Sequence, residues 1–130
     1  MIKLSVDSDK NVLLVTLLGT SSDKDIVNGV GEAGTLLHEL KENLNIIMDL
    51  SKFRESSTEQ GALFNKIIKT INDKVKIHSV IRVIGESKSI IVNLCKMDKL
   101  FNLNNVKYVP TLEDAYNFID GTDFNQKECK

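Results

Sequence analysis

The sequence predicts an α/β protein: one single-layer mixed β-sheet with an N-terminal β-hairpin and about four packed helices. Three observations predict it. Ile2, Leu4 and Val6 alternate with Lys3 and Ser5, the period-two signature of a half-buried strand. From Ser22 onward the apolar spacing changes to steps of three and four. After that, short apolar runs take turns with amphipathic stretches, the pattern of strands joined by helical crossovers.

Taken in order, Asp7-Ser8-Asp9-Lys10-Asn11 is a polar turn that closes a hairpin with the run from Val12 to Leu18, which ends at Gly19. That second run is apolar on both faces apart from Thr16, so it belongs inside the sheet. Ile26, Val30, Ala33, Leu37, Leu40 and Leu44 fall on one face of a helix. Gly29, Gly31 and Gly34 each weaken that helix by roughly 1 kcal/mol relative to alanine, so it depends on packing or admits a close neighbour. Asn45 to Leu50 is a short buried strand, and Ser51 to Ser57 a polar connection. The next helix carries Leu63, Phe64, Ile67, Ile68 and Ile71. A strand from Ile77 to Ile84 follows, then a helix striped by Ile90, Leu94, Met97 and Phe101, then a brief strand at Val106 to Val109. Thr111 caps a last helix that Gly121 stops. One domain over residues 1–121, followed by a frayed polar tail over 122–130, is expected. Helices between strands favour parallel pairing, with the hairpin adding an antiparallel edge.

Composition narrows the function. Seventeen Lys and Arg balance 18 Asp and Glu with no long block of one sign, so neither a nucleic acid nor an anionic membrane is favoured as partner. The first residues lack the apolar core of a signal peptide, and no apolar run is long enough for a membrane span, which points to the cytoplasm. Cys95 and Cys129 have the spacing of neither a disulfide framework nor a zinc site, and a reducing compartment fits them.

Catalytic patterns are missing: the chain has no Gly-x-Ser-x-Gly, His-Glu-x-x-His, phosphate-loop or Cys-x-x-Cys motif. His38 and His78 have no partner in the pattern around them and read as structural or exposed. No enzyme activity, cofactor or metal is therefore expected. Gly85-Glu86-Ser87-Lys88-Ser89 opens a helix where amides can receive an anion, but helix capping explains the same residues. The richer surface is Arg54-Glu55-Ser56-Ser57-Thr58-Glu59, at a strand-to-helix junction where partners meet such sheets. Ser56 with Glu59, or Ser57 with Gln60, also fits a capping box.

In this element order, Val12 to Gly19, Asn45-Ile46-Ile47-Met48-Asp49-Leu50-Ser51 and Thr111-Leu112-Glu113-Asp114-Ala115 resemble the STAS domain family. These are the sulfate-transporter and anti-sigma-factor-antagonist domains, SpoIIAA-like proteins among them. The resemblance implies a STAS/SpoIIAA-like fold and a non-enzymatic regulatory module. Its implied partner is an anti-sigma factor or serine kinase-like protein, or another STAS-type protein, and a homodimer is admitted. In the antagonist branch, the loop after the central strand carries an Asp-Ser-Ser-Gly-like motif whose first serine is phosphorylated. Matching Asp49-Leu50 to that strand makes Thr58 the candidate phosphoacceptor, and one residue of slippage selects Ser57. The sequence departs from the motif: Ser57 stands in place of its aspartate, and Gly61 comes one position late. A second branch, SpoIIAA-like with a CRAL-TRIO-like resemblance, implies an apolar ligand held against Ile90, Leu94, Met97 and Phe101 without phosphoregulation. Val80 to Gly85 and Tyr108 to Ala115 carry that likeness.

Overall fold

The period-two segment forms strand β1 (Ile2–Asp7), which pairs antiparallel with β2 (Val12–Gly19) in a register that sets Leu4 beside Val15 and Val6 beside Leu13. Lys10 donates its backbone N–H to Asp7 Oδ1 at 3.1 Å inside the turn, and Asn11 completes it with a left-handed φ of +55°. Asparagine tolerates that conformation better than most residues. The computed structural model describes residues 2–19, 22–53, 58–85, 94–96, 98–99 and 105–127.

From β2 onward every pairing is parallel: β2 to β3 (Leu44–Phe53), β3 to β4 (Ile77–Val83) and β4 to β5 (Val106–Val109). The five strands lie in the order β1-β2-β3-β4-β5, so the sheet grows in one direction and never reverses. Helices α1 (Asp23–Leu36) and α2 (Thr58–Lys74) are the crossovers from β2 and β3. Residues 94–96 and 98–99, between β4 and β5, are also helical.

Handedness places these crossovers on one face, and the larger core lies there. It joins Leu13, Leu17, Ile46, Met48, Leu50 and Val80 to Ile26, Ala33, Phe64, Ile68, Ile71 and Leu94. The opposite face packs a smaller cluster, Val12, Ile47, Ile81, Val83 and Val109, against Ala115 of the last helix, α3 (Leu112–Asp120). Thr111 caps α3 by accepting the Asp114 N–H, and Gly121 ends it at a φ of +77°. This is the α/β class and mixed sheet that the pattern predicts.

Several expectations need correction. The first helix stops at Leu36, a single 3-10 turn follows at Leu37–Glu39, and Leu44 opens β3 rather than ending the helix. The cause lies in the hairpin: the Asn11 side chain accepts the Lys41 N–H at 2.8 Å and donates to the Lys41 carbonyl at 2.9 Å. With Asn43 at a φ of +65°, that turn sends the chain away from the helical course, and Leu40 and Leu44 stay buried for a different reason. β3 also runs through Ser51 and Lys52 to Phe53, which returns to the core against Phe64.

Residues 122–127 are mostly exposed but are tied to the domain by specific contacts. Phe124 meets Phe118 edge to face, Asn125 donates its N–H to Asp114 Oδ1 at 2.9 Å, and Lys127 donates its N–H to the Tyr108 carbonyl at 2.7 Å. Cys95 is buried and disulfide-bonded, against the expectation of a reduced thiol. Pairing depends on where the fold brings the Cβ atoms, which spacing along the chain does not report. Cys129 lies outside the described residues, as do Ile90, Met97, Phe101 and the stretch 86–89.

Candidate functional site

The last residues paired between β3 and β4 are Asp49 and Val83, and β3 continues past that point to Phe53. Ser51, exposed at the end of β3, donates both its hydroxyl and its N–H to Asp49 Oδ1, at 2.7 and 3.1 Å. Gly85 follows β4 with a φ of +59°, and a Cβ there would lie 3.4 Å from the Ser51 side chain. Glycine adopts that left-handed backbone most easily, and a side chain there would sit against Ser51. Gly85 and Ser51 therefore lie close together here, with Asp49, Ser51 and Lys52 at the surface.

Thr58 and Glu59 open α2 at this same end of the sheet. Arg54, Glu55, Ser56 and Ser57, which join β3 to α2, lie outside the described residues. Their capping pairs and the phosphoacceptor geometry consequently stay at the level of the sequence. His38 and His78 are both exposed and far apart in the chain. Among the described residues, no group of three or more His, Cys, Asp or Glu is arranged to hold a metal ion.

Beneath this edge lies a polar constellation that the pattern reading overlooked. Met48, Arg82 and Tyr108 are neighbours in one row across β3, β4 and β5, and all three are buried. Arg82 has no exposed surface at all, with a relative accessibility of 0%. A charge so placed needs a counter-charge and hydrogen-bond acceptors. Asp98 supplies the first, in a two-pronged pair: Nη2 to Oδ1 at 2.8 Å and Nε to Oδ2 at 3.2 Å. Asn65 Oδ1, from α2, accepts a second bond from Nη2 at 2.8 Å, and Nη1 points to Met48 Sδ at 2.9 Å. Tyr108 donates its hydroxyl to Asp98 Oδ2.

Burial first, and then the Asp98 charge, push the Tyr108 phenol well above its ordinary pKa. It stays neutral and remains a donor through the physiological range. Asn65 Nδ2 is buried with no partner among the described residues. The network thus joins α2, β4, β5 and the helical residues around Asp98 into one unit. A signal for it does exist in the sequence: Arg82 interrupts the apolar run Val80-Ile81-Arg82-Val83-Ile84, and a cation in a buried strand calls for a buried acid.

Among the described residues, the interior between the sheet and helices α1 and α2 offers little room for an apolar ligand. The cavity between the sheet and helices α1 and α2, lined by Leu4, Val15, Ala33, Met48 and Ile67, has a volume of about 30 Å³. Ligand pockets usually begin at about 300 Å³. Leu94, one of the residues expected to hold an apolar ligand, is fully buried in the core. Among the described residues, no helix is long and apolar enough to cross a membrane.

The fold is that of a solved regulator. The chain is similar to the anti-sigma factor antagonist SpoIIAA in its unphosphorylated form, with a TM-score of 0.63 over 93% of this chain and 99% of that one, at 12% sequence identity. No protein-family model and no curated protein matches the sequence.

Proposed function

We propose that the chain is a non-enzymatic regulatory module that binds a protein partner with the C-terminal edge of its parallel strands, where β3 passes into α2. The observation that carries this reading is the uninterrupted strand order. Open α/β sheets hold small ligands in the crevice that forms where the strand order reverses. Here the order β1-β2-β3-β4-β5 has no reversal, so the strand order makes no such crevice. The likeness to a protein described as an anti-sigma factor antagonist supports the same reading. The partner class is an anti-sigma factor or a serine kinase-like protein.

Within this proposal, Arg54, Glu55, Ser56, Ser57, Thr58 and Glu59 form the contact surface, and Thr58 or Ser57 accepts a phosphate. A phosphate adds about −1.5 to −2 charges. Beside Glu55 and Glu59 that charge opposes a docked acidic surface, while the start of the 17-residue α2 favours it through the helix dipole. The switch therefore acts on association more than on folding. Pull-down with Ser57→Asp and Thr58→Asp variants, with phosphosite mapping by mass spectrometry after kinase treatment, tests it. Changed capture of one partner by either variant is expected. Unchanged capture, with no phosphate at Ser56, Ser57 or Thr58, sinks the switch. Binding that survives alanine substitution of all six residues sinks the surface as well.

A further inference from the structure

The sheet has two edges, and they differ. The β5 edge is covered by the C-terminal segment, whose Lys127 bridges antiparallel to Tyr108. The β1 edge has no strand beside it among the described residues. A bare edge directs alternate N–H and C=O groups outward and is a template for another strand. We propose that β1 pairs antiparallel with β1 of a second copy of this chain, about a two-fold axis at Ser5, to make one continuous sheet through two molecules.

The residues of β1 select both the occupant and the register. With the axis at Ser5, Leu4 falls opposite the second copy's Val6, and Lys3 falls opposite its Asp7, each pair occurring twice. Residues directly opposite one another in an antiparallel pair point to the same face. Leu4 and Val6 both pack toward the helix-covered core, so the apolar pairs extend that core across the junction. Lys3 and Asp7 share the other face, where they are attractive cross-strand partners. Asp7 already accepts the Lys10 N–H on Oδ1, which holds the carboxylate in place.

Other registers do not keep both sets of matches. A one-residue slip sets apolar against polar side chains. A two-residue slip in one direction keeps apolar pairs, Leu4 with Leu4 and Ile2 with Val6, but faces Lys3 with Ser5 and so gives up both charge pairs; in the other direction it faces Leu4 with Ser8 and Asp7 with Ser5. Lys3, the kind of charge that protects an edge from indiscriminate pairing, thereby becomes the residue that admits a copy of its own chain. The dimer leaves the proposed partner surfaces open, because the two-fold axis points the C-terminal edges of the two sets of parallel strands in opposite directions. A six-residue strand pair is a small interface, so the association is weak and depends on concentration.

Directly opposed residues have Cα atoms about 4.5–5.5 Å apart, within disulfide range. In the full chain, Ser5→Cys under mild oxidation should yield at least ten times more covalent dimer than Lys41→Cys, an exposed control away from β1. Peptide mapping should find the new cysteine linked to itself. Lys3→Asp in the Ser5→Cys background should remove most of that dimer, and adding Asp7→Lys should restore it, while circular dichroism monitors the fold. Equal cross-linking of Ser5→Cys and Lys41→Cys in folded protein overturns the proposal. So does a dimer indifferent to Lys3→Asp, or one that the charge swap fails to restore. Linkage of the new cysteine only to other proteins in a cell extract would assign the edge to a different occupant and overturn it too.

Discussion

Asp98→Asn tests the buried network most directly. The substitution keeps the size of the side chain and an oxygen that accepts from Tyr108, but removes the charge opposite Arg82. That guanidinium has 0% exposure and Asp98 only 6%, so neither water nor salt takes over the role of counter-ion. Breaking such a pair from one side costs about 3–5 kcal/mol, a large share of the roughly 5–15 kcal/mol by which domains are stable. A fall of about 10–20 °C in Tm follows for a chain of this size. Arg82→Met alone removes the cation and leaves Asp98 with Tyr108 as donor. Combined, the two substitutions leave no unpaired charge, so the double variant should be more stable than the sum of the single effects by about 2 kcal/mol or more. Urea unfolding followed by circular dichroism measures all four corners of the cycle. A loss below about 1 kcal/mol for Asp98→Asn, or strict additivity in the double variant, refutes the assignment of Arg82–Asp98 as a coupled buried pair.

Four further outcomes follow from the same structure. Because the Tyr108 phenol is held above its ordinary pKa, the folded state retains a proton that the unfolded chain loses above about pH 10. Stability therefore falls as pH rises beyond that point, and Tyr108→Phe should flatten this alkaline slope in pH-resolved denaturation while costing about 1.5–3 kcal/mol at neutral pH through the lost bond to a carboxylate. Asp114 is lowered from its ordinary range, first by the Asn125 N–H and then by the Thr111 hydroxyl, so its contribution is present above about pH 4 and fades as pH falls. Asp114→Asn should reduce the acid sensitivity and speed amide exchange at Asn125 even at neutral pH. Gly34 is an exposed helical residue with open space where a Cβ would go, and Gly34→Ala should stabilise by up to about 1 kcal/mol in thermal unfolding. Gly85→Ala should instead destabilise, because its backbone is left-handed and its Cβ would meet Ser51.

How much of this was legible depended on whether the signal is local. Strand β1, the caps of α3 at Thr111 and Gly121, and the alternation of elements are written in neighbouring residues, and the structure has them in place. Leu40 and Leu44 misled because burial, not helicity, set their spacing. The turn that lies between Leu40 and Leu44 is held by Asn11, thirty residues before Lys41 in the chain. The tail was misjudged for a related reason: its polar composition says nothing of the Tyr108 carbonyl and Asp114 carboxylate that pin it from elsewhere in the fold. The Arg82 network fell between these cases. One half of it, a cation inside an apolar strand, is visible locally, whereas Asn65, Asp98 and Tyr108 become its partners only when three separate elements converge.

That convergence bears on what a partner or a phosphate can move. Asn65 belongs to α2, the helix that Thr58 and Glu59 open, and its side-chain oxygen is held by Arg82 at 2.8 Å. Sliding α2 as a body would strip an acceptor from a fully buried guanidinium, and a lost bond to a charged group costs about 1.5–3 kcal/mol. Phe64, beside Asn65, would also leave its edge-to-face contact with Phe53 at the end of β3. A phosphate at the start of a helix has helix-dipole energies of about 0.3–1 kcal/mol to work with, too little to drive that movement. On the proposed reading, a phosphate at this edge would act by changing the charge that a partner meets, on a scaffold that the Arg82 network keeps in one arrangement.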